Sequence, residues 1–223
     1  MYKIVALVPM RHHSQRVPGK NIRPLAGKPL FEFIIQTLLG CPEIELVVVD
    51  TDSSVIAEAL AVKFPTVLVL DRPARLRADN ISMNEILVHD TNQVEAEFYL
   101  QTHSTNPLLS SATVQLAITQ FLAQYPAYDS LFTVTRLQTR LWDQLTRPIN
   151  HNPSILLQTQ DLPPVFEENS NMYIFTRETL VNRRNRIGVR PMMFEVDPTE
   201  AIDIDTELDF KFAEVMVQHL GIA

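Results

Sequence analysis

Two hydrophobic periodicities take turns along the first part of the chain, and this alternation constrains the fold more than any other feature. Ile4–Pro9 is a short apolar run too rich in aliphatic side chains to have a wet face, so a buried strand is expected there. Leu30–Leu39 has helical spacing, Glu45–Asp50 is β-branched, Ser53–Phe64 is helical and Val67–Leu70 strand-like. Ser82–Gln93 and Ser111–Tyr125 then read as helices, Glu97–Thr102 and Leu131–Thr135 as strands. Parallel strands need crossovers long enough to be helices, so this order predicts an α/β fold with a mostly parallel twisted sheet flanked by helices.

From Arg136 to Glu168 the pattern breaks, with Pro148, Pro153, Pro163 and Pro164 and no sustained period, which predicts an arm. Met172–Phe175 and Met192–Val196 return as strands. Thr206–Leu220 reads as an amphipathic helix carrying Leu208, Phe212, Val215 and Leu220 at helical spacing. With 223 residues, 46% of them hydrophobic, one domain over 1–223 with an excursion at about 136–168 is expected. The net charge of -7 argues against a nucleic-acid or anionic-membrane partner, both of which are bound through clustered excess Lys and Arg. Cys41 is the lone cysteine and has no zinc-ligand spacing near it, which suits a reducing compartment. The first apolar run is too short for a membrane span and lacks a small-residue cleavage site, so cytoplasmic residence is the default expectation.

Two segments carry chemistry. Directly after the first strand, Pro9–Asn21 holds Arg11, Arg16 and Lys20 with Ser14 and Gly19. A cationic loop leaving the carboxyl end of a parallel strand is placed to hold a polyphosphate, Arg11 gripping oxygens as a fork and Lys20 as a point charge. A solvated surface turn is the alternative. GxxxxGK[ST] and GxGxxG are both absent, so neither a P-loop nor a dinucleotide site is indicated. His12 and His13 are adjacent in a loop, a geometry that seldom converges on one ion.

Near the other end, Asp203 and Asp205 stand two apart in IDIDTELDF, so an extended backbone puts both on one face. Two such carboxylates repel unless a cation lies between them, and Mg²⁺ shared with substrate phosphate is the natural candidate. The plainer reading is that Asp205 or Thr206 caps the last helix, with Glu207 and Asp209 favouring its dipole.

The segment RHHSQRVPGKNIRPLAGKPLFEFIIQTLL resembles the N-terminal signature of the cytidylyltransferases that activate sialic acids and related nine-carbon sugar acids, and IDIDTELDF is similar to their metal site. The resemblance implies a Rossmann-like nucleotidyltransferase fold and transfer of CMP from CTP to an acidic sugar. It implies that Arg11, Ser14, Lys20 and Asn21 bind the triphosphate and ribose, and that Asp205 and Asp203 hold Mg²⁺. It further implies that Arg72 of DRPARLRAD reads the pyrimidine and that Gln101 touches the sugar. The family's Gly-Gly-Ser-Lys is His12-His13-Ser14-Gln15 here, and Arg16 is expected to supply the charge lost at Gln15. Leu109 stands where the family has Arg, and Glu167 where a sugar-carboxylate arginine is usual. That points either to a different ulosonate, one with an amino or amidino group, or to a carboxylate held by Arg136, Arg140 or Arg147.

The arm carries Trp142, Leu145, Ile149, Ile155, Leu156 and Leu157 outside any period. Such side chains need cover, and the relatives pair through an arm of this sort, so a homodimer is expected; folding back onto the chain's own sheet is the alternative. A degenerate binding module on the same fold, or a different α/β enzyme such as a phosphotransferase, remains open at this stage.

Overall fold

A computed structural model describes residues 3–14 and 16–222. Its main sheet has seven strands in the order β5-β4-β1-β6-β8-β7-β9, where β1 is Ile4–Leu7, β4 Ile44–Thr51, β5 Leu68–Asp71, β6 Phe98–Thr102, β7 Ser130–Leu137, β8 Val165–Phe175 and β9 Pro191–Glu195. β1 pairs parallel with β4 and β6, β4 with β5 and β7 with β9, whereas β8 runs antiparallel between β6 and β7. The expected mostly parallel sheet is found, with β8 inserted as its one reversed strand. A two-residue-per-strand hairpin, β2 (Pro24–Leu25) and β3 (Lys28–Pro29), lies outside it. Its turn places Ala26 and Gly27 at φ 47° and 93°, the double positive φ that a tight hairpin needs.

The residues of β1 show why the fold layers as it does. Ile4, Ala6 and Val8 join one apolar cluster with α1 (Leu30–Leu39), α2 (Ser54–Lys63) and α4 (Ser111–Gln124). Val5 and Leu7 join a second cluster on the opposite face, with Leu87 of α3 (Met83–Gln93) and Leu180 of α5 (Arg177–Arg183). A strand buried on both faces has no polar stripe, as its composition requires. Serine or threonine caps begin α2 to α6, where Ser53, Ser82, Ser110, Thr176 and Thr206 each accept a bond from the backbone N–H three residues on, whereas α1 starts after Pro29 without a side-chain cap. Cys41 is buried in the first cluster, and burial pushes its thiol up to about 11, which suits a structural role.

A third cluster positions the C-terminal motif. α6 (Glu207–Leu220) buries Phe210, Ala213 and Val217 against Val17 and Leu25 of the loop after β1 and Leu30 and Phe33 of α1. The expected face of this helix is corrected: Leu208, Phe212, Val215 and Leu220 point outward and are exposed. Two apolar stripes exist on α6, and the one that meets the loop complements it better than the one the longer side chains form. Thr206 is the cap, with Asp209 completing a capping box.

The excursion is shorter than the sequence suggests, because β7 runs on to Leu137 and β8 begins at Val165, so Arg136 and Glu168 lie in paired strands. Between them, Asn150 stitches the loop. Its Nδ2 donates to the Thr139 and Pro163 carbonyls at 2.7 and 3.0 Å, and its Oδ1 accepts from the Leu141 N–H at 3.0 Å. Asn150 and Leu162 are buried, while Leu156 is 89% exposed.

Asn150→Ala removes three bonds from a buried amide, so the excursion is expected to lose about 1–3 kcal/mol of local stability. Limited proteolysis checks this: cleavage between 138 and 164 speeds up while the sheet stays protected, and an unchanged cutting rate rules the stitch out.

Candidate active site

The loops that follow β1, β4, β5 and β6 all leave from the carboxyl edge of the sheet. After β1 the chain goes to β4 on one flank and later returns to β6 on the other, so the loops diverge there and a crevice opens beyond β1. A cavity of about 340 Å³ occupies it, lined among others by Arg11, Ser14, Arg16, Lys20, Asn21 and Arg72, with His103, Ser104 and Thr105 from the end of β6. Gly19, at φ 64°, takes a left-handed conformation that starts the 3-10 turn Lys20–Ile22, and this turn aims Lys20 inward.

The structure therefore brings six of the sequence-derived residues, Arg11, Ser14, Arg16, Lys20, Asn21 and Arg72, into one cavity lining, with Asp205 paired to two of them. Lys20 is nearly buried; its ammonium donates to the Ile204 carbonyl and lies 3.7 Å from Asp205. Burial lowers its pKa, against the pull of Asp203 and Asp205. Arg16 reaches the same Asp205 carboxylate at 2.7 Å. Arg11 pairs with Asp79 across the mouth. Ser14 Oγ accepts from the Val17 N–H at 3.4 Å. Asn21 is a buried rivet, donating to the Arg11 carbonyl at 2.9 Å and accepting from Ser104 Oγ at 2.8 Å. Gln15, where the loop lacks the family's lysine, lies outside the described residues.

Asp205 reaches Arg16 and Lys20 of the cavity lining, and Asp203 acts on the same Lys20, with Ile204 between them fully buried in the third cluster. The segment is not a strand, yet the alternation survives. Asp203 Oδ1 is buried without a hydrogen-bond partner, and burial raises its pKa, with the Thr105 hydroxyl opposing and Asp205 adding to the rise.

Arg72 differs from the other cations. It is 4% exposed, its Nε donates to Asp50 Oδ1, and its Nη2 donates to the Asp50 carbonyl at 3.2 Å. Gln101 is not at the cavity wall. It is fully buried at the end of β6, donating to the Thr102 carbonyl at 2.8 Å and accepting from Arg186. Arg186 stacks 3.6 Å above the Tyr173 ring. His103, between Gln101 and the cavity, is kept neutral: burial pushes it down to about 3, with the charges of Arg186 and Lys20 adding to the effect. His12 spends its ring on Ser53 Oγ at 2.7 Å. The three alternative arginines are also placed: Arg136 in β7, Arg140 on the Leu157 carbonyl, and Arg147 on Asp143 at 2.6 Å.

Asp50, Asp79, His103 and Arg186 were not singled out by the sequence. Asp50 left a trace as a carboxylate following the apolar run of β4, and Asp79 as the closing residue of DRPARLRAD.

A parallel sheet with a cationic loop at its carboxyl edge and a carboxylate pair facing that loop defines a protein of the nucleotidyltransferase fold. The chain belongs to the cytidylyltransferase family, whose model matches residues 5–219. It is 27% identical to N-acylneuraminate cytidylyltransferase A of Danio rerio over 98% of this chain and 51% of that one. It spans about half the length of that relative. It covers nearly all of two others: post-translational flagellin modification protein B of Campylobacter coli (24% identity, 100% of this chain, 98% of that one) and CMP-N,N'-diacetyllegionaminic acid synthase of Legionella pneumophila (26%, 97% of each). Among solved structures, a CMP:2-keto-3-deoxy-manno-octonic acid synthetase in complex with CTP matches with a TM-score of 0.73 and 17% identity, covering 98% of this chain and 99% of that one. A 4-diphosphocytidyl-2C-methyl-D-erythritol synthase from Anaerococcus prevotii matches at 0.70 and 12%, covering 97% and 96%. No helix among the described residues is long and apolar enough to cross a membrane.

Because the Arg72–Asp50 pair is buried, Arg72→Ala leaves an uncompensated anion in the core and is expected to cost about 3–5 kcal/mol. Denaturant unfolding of the two proteins measures it; a loss under about 1 kcal/mol means that Asp50 finds another partner.

Proposed function

We propose that the chain transfers the cytidylyl group of CTP to a hydroxyl of an acidic sugar and releases pyrophosphate. The observation that carries this reading is the cavity lined by Arg11, Arg16 and Lys20 of the first loop, two of which, Arg16 and Lys20, pair with Asp205 of the last. In the reaction the sugar oxygen bonds to the α-phosphorus, the bond from that phosphorus to the α,β-bridging oxygen breaks, and its electron pair leaves with pyrophosphate; the hydroxyl proton passes to water. Such chemistry asks for positioning and charge stabilisation more than for a side-chain base.

The cations are held by partners that a polyphosphate can replace. Arg11 and Asp79 form an exposed pair, which is worth little and is cheaply exchanged. Arg16 and Lys20 lean on Asp205 and can turn from it to phosphate oxygens. The orphaned buried oxygen of Asp203 beside a second carboxylate is a hard-oxygen donor set that suits Mg²⁺, so Asp203 and Asp205 would hold it. When bound, that ion supplies positive charge against the phosphates. Arg72 lines the cavity beyond the loop and is the group for the base, its backbone fixed by the Arg72 N–H to the Thr51 carbonyl at 2.9 Å.

The test incubates the chain with CTP, Mg²⁺ and a panel of sugar acids and measures pyrophosphate. Release that depends on one of the acids is expected, and Asp205→Asn is expected to abolish it while CTP binding stays within about tenfold. An Asp205→Asn protein with full turnover removes the metal assignment, and no release with any acid defeats the reaction.

The reading extends to a homodimer. Trp142, Leu145, Ile149, Ile155, Leu156 and Leu157 are all exposed on the excursion between β7 and β8, an apolar surface that a second copy would cover. Replacing Ile155 and Leu157 by Asp is expected to give a folded monomer by light scattering, with sugar activation lost and CTP binding kept. A dimer unaffected by the two charges sinks the proposal.

A further inference from the structure

Behind Arg72, charge and hydrogen bonding do not close with both neighbouring carboxyls ionised. Asp50, at the end of β4, is 1% exposed; its Oδ1 accepts from Arg72, while its Oδ2 is buried with no donor. Asp90, on the inner face of α3, is 0% exposed, and among the described residues neither of its oxygens meets a donor. A carboxylate oxygen of each and a ring nitrogen of His89 lie within 4.8 Å of one another. Two carboxylates around one guanidinium leave a net negative charge in a dry interior, and a buried acid in that position takes up a proton instead of remaining charged. One proton converts two facing unpartnered acceptors into a donor and an acceptor.

We propose that Asp90 is a positioning residue: as a neutral carboxylic acid it donates to Asp50 Oδ2, and so fixes the carboxylate that holds Arg72 at the cavity wall. The proposal rests on the reading of that cavity as a CTP site. The charged and titratable groups facing Asp90 are Asp50 from β4, Arg72 from the loop after β5, and His89 on its own helix. Burial, with the charge and hydrogen bond of Asp50 adding to it and Arg72 opposing, pushes Asp90 up to about 9. The sign follows. The folded-state pKa lies above the ordinary 3.8, so the stability contributed by the bound proton is full below about pH 4 and declines as pH rises to about 9. Loss of the proton returns two anions to one guanidinium, and Arg72 is drawn back between them and away from the nucleotide.

Carboxyl-carbon NMR of the full chain labelled at aspartate, recorded without nucleotide, is expected to show one Asp titrating near pH 9 that vanishes in Asp90→Asn. For CTP turnover, the ratio of the wild-type KM to that of Asp90→Asn is expected to rise about tenfold between pH 8 and pH 10, with the kcat ratio nearly flat. Lys20 titrates in both proteins and cancels in the ratio. At pH 7.5, Asp90→Ala raises the KM for CTP about tenfold, and Asn, a permanent donor, rescues most of it; if the Ala variant does not fold, the Asn ratio decides. An Asp90 signal titrating near pH 4, a flat KM ratio, or one equivalent of tightly bound divalent metal released by Asp90→Asn overturns the proposal. A chain that binds CTP but turns over no sugar acid defeats the reaction and leaves the carboxyl titration and the pH dependence of CTP binding to decide this one.

Discussion

The ammonium of Lys20 is the tie on which the site depends. It reaches from the first loop to the Ile204 carbonyl and the Asp205 carboxylate, joining residues 184 positions apart. Burial makes an unpaired cation costly there, so the C-terminal segment has to stay close while Lys20 is charged. The apolar packing of α6 against Val17 and Leu25 supplies the position, and the ammonium fixes the register. Gly19 and Asn21, on either side, serve the same end, one by its backbone and one by its bonds.

Two kinds of ion pair line the crevice, and their burial sorts them by job. Arg11–Asp79 and Arg16–Asp205 sit in water-accessible positions where dielectric screening keeps each partner replaceable. Arg72–Asp50 is dry on both sides, so exchange there is prohibitive and the guanidinium serves as a fixed wall. The crevice thus has exchangeable cations at one end and a rigid donor at the other. Neutral His103 beneath the site adds a polar surface without a further charge.

Much of this was legible in the amino-acid sequence because it is local. Apolar runs and helical spacing mark β1, β4, β6, α2, α3 and α4 to within a residue or two, and the cationic loop and IDIDTELDF announce themselves by residue type. The failures are tertiary. β8 begins seven residues before the expected Met172, since Val165–Glu168 lacks any period and is held only by pairing with Val134–Leu137. α5 is too short to show a period, and α6 offers two stripes of which packing picks the less conspicuous. Gln101 is expected from its motif to touch the sugar; the motif gives no sign that Arg186, distant in sequence, bonds to its side chain inside the sheet. The Asp50–Asp90 pair is silent for the same reason: neither residue is unusual alone.

The order in which partners come along the chain has a consequence for synthesis on the ribosome. β1 is made before both of its neighbours, β4 and β6, the latter pairing Ile4 with Phe98. The cationic loop after β1 waits longer still, until Ile204 has emerged. Contacts of such long sequence separation close slowly, because the intervening chain loses entropy before they repay it. A chain cut before Ile204 keeps β1 between its neighbours but leaves Val17 and Leu25 without the apolar cover of Phe210, Ala213 and Val217, and Lys20 without the Ile204 carbonyl and Asp205, so it exposes an apolar patch beside a cationic loop.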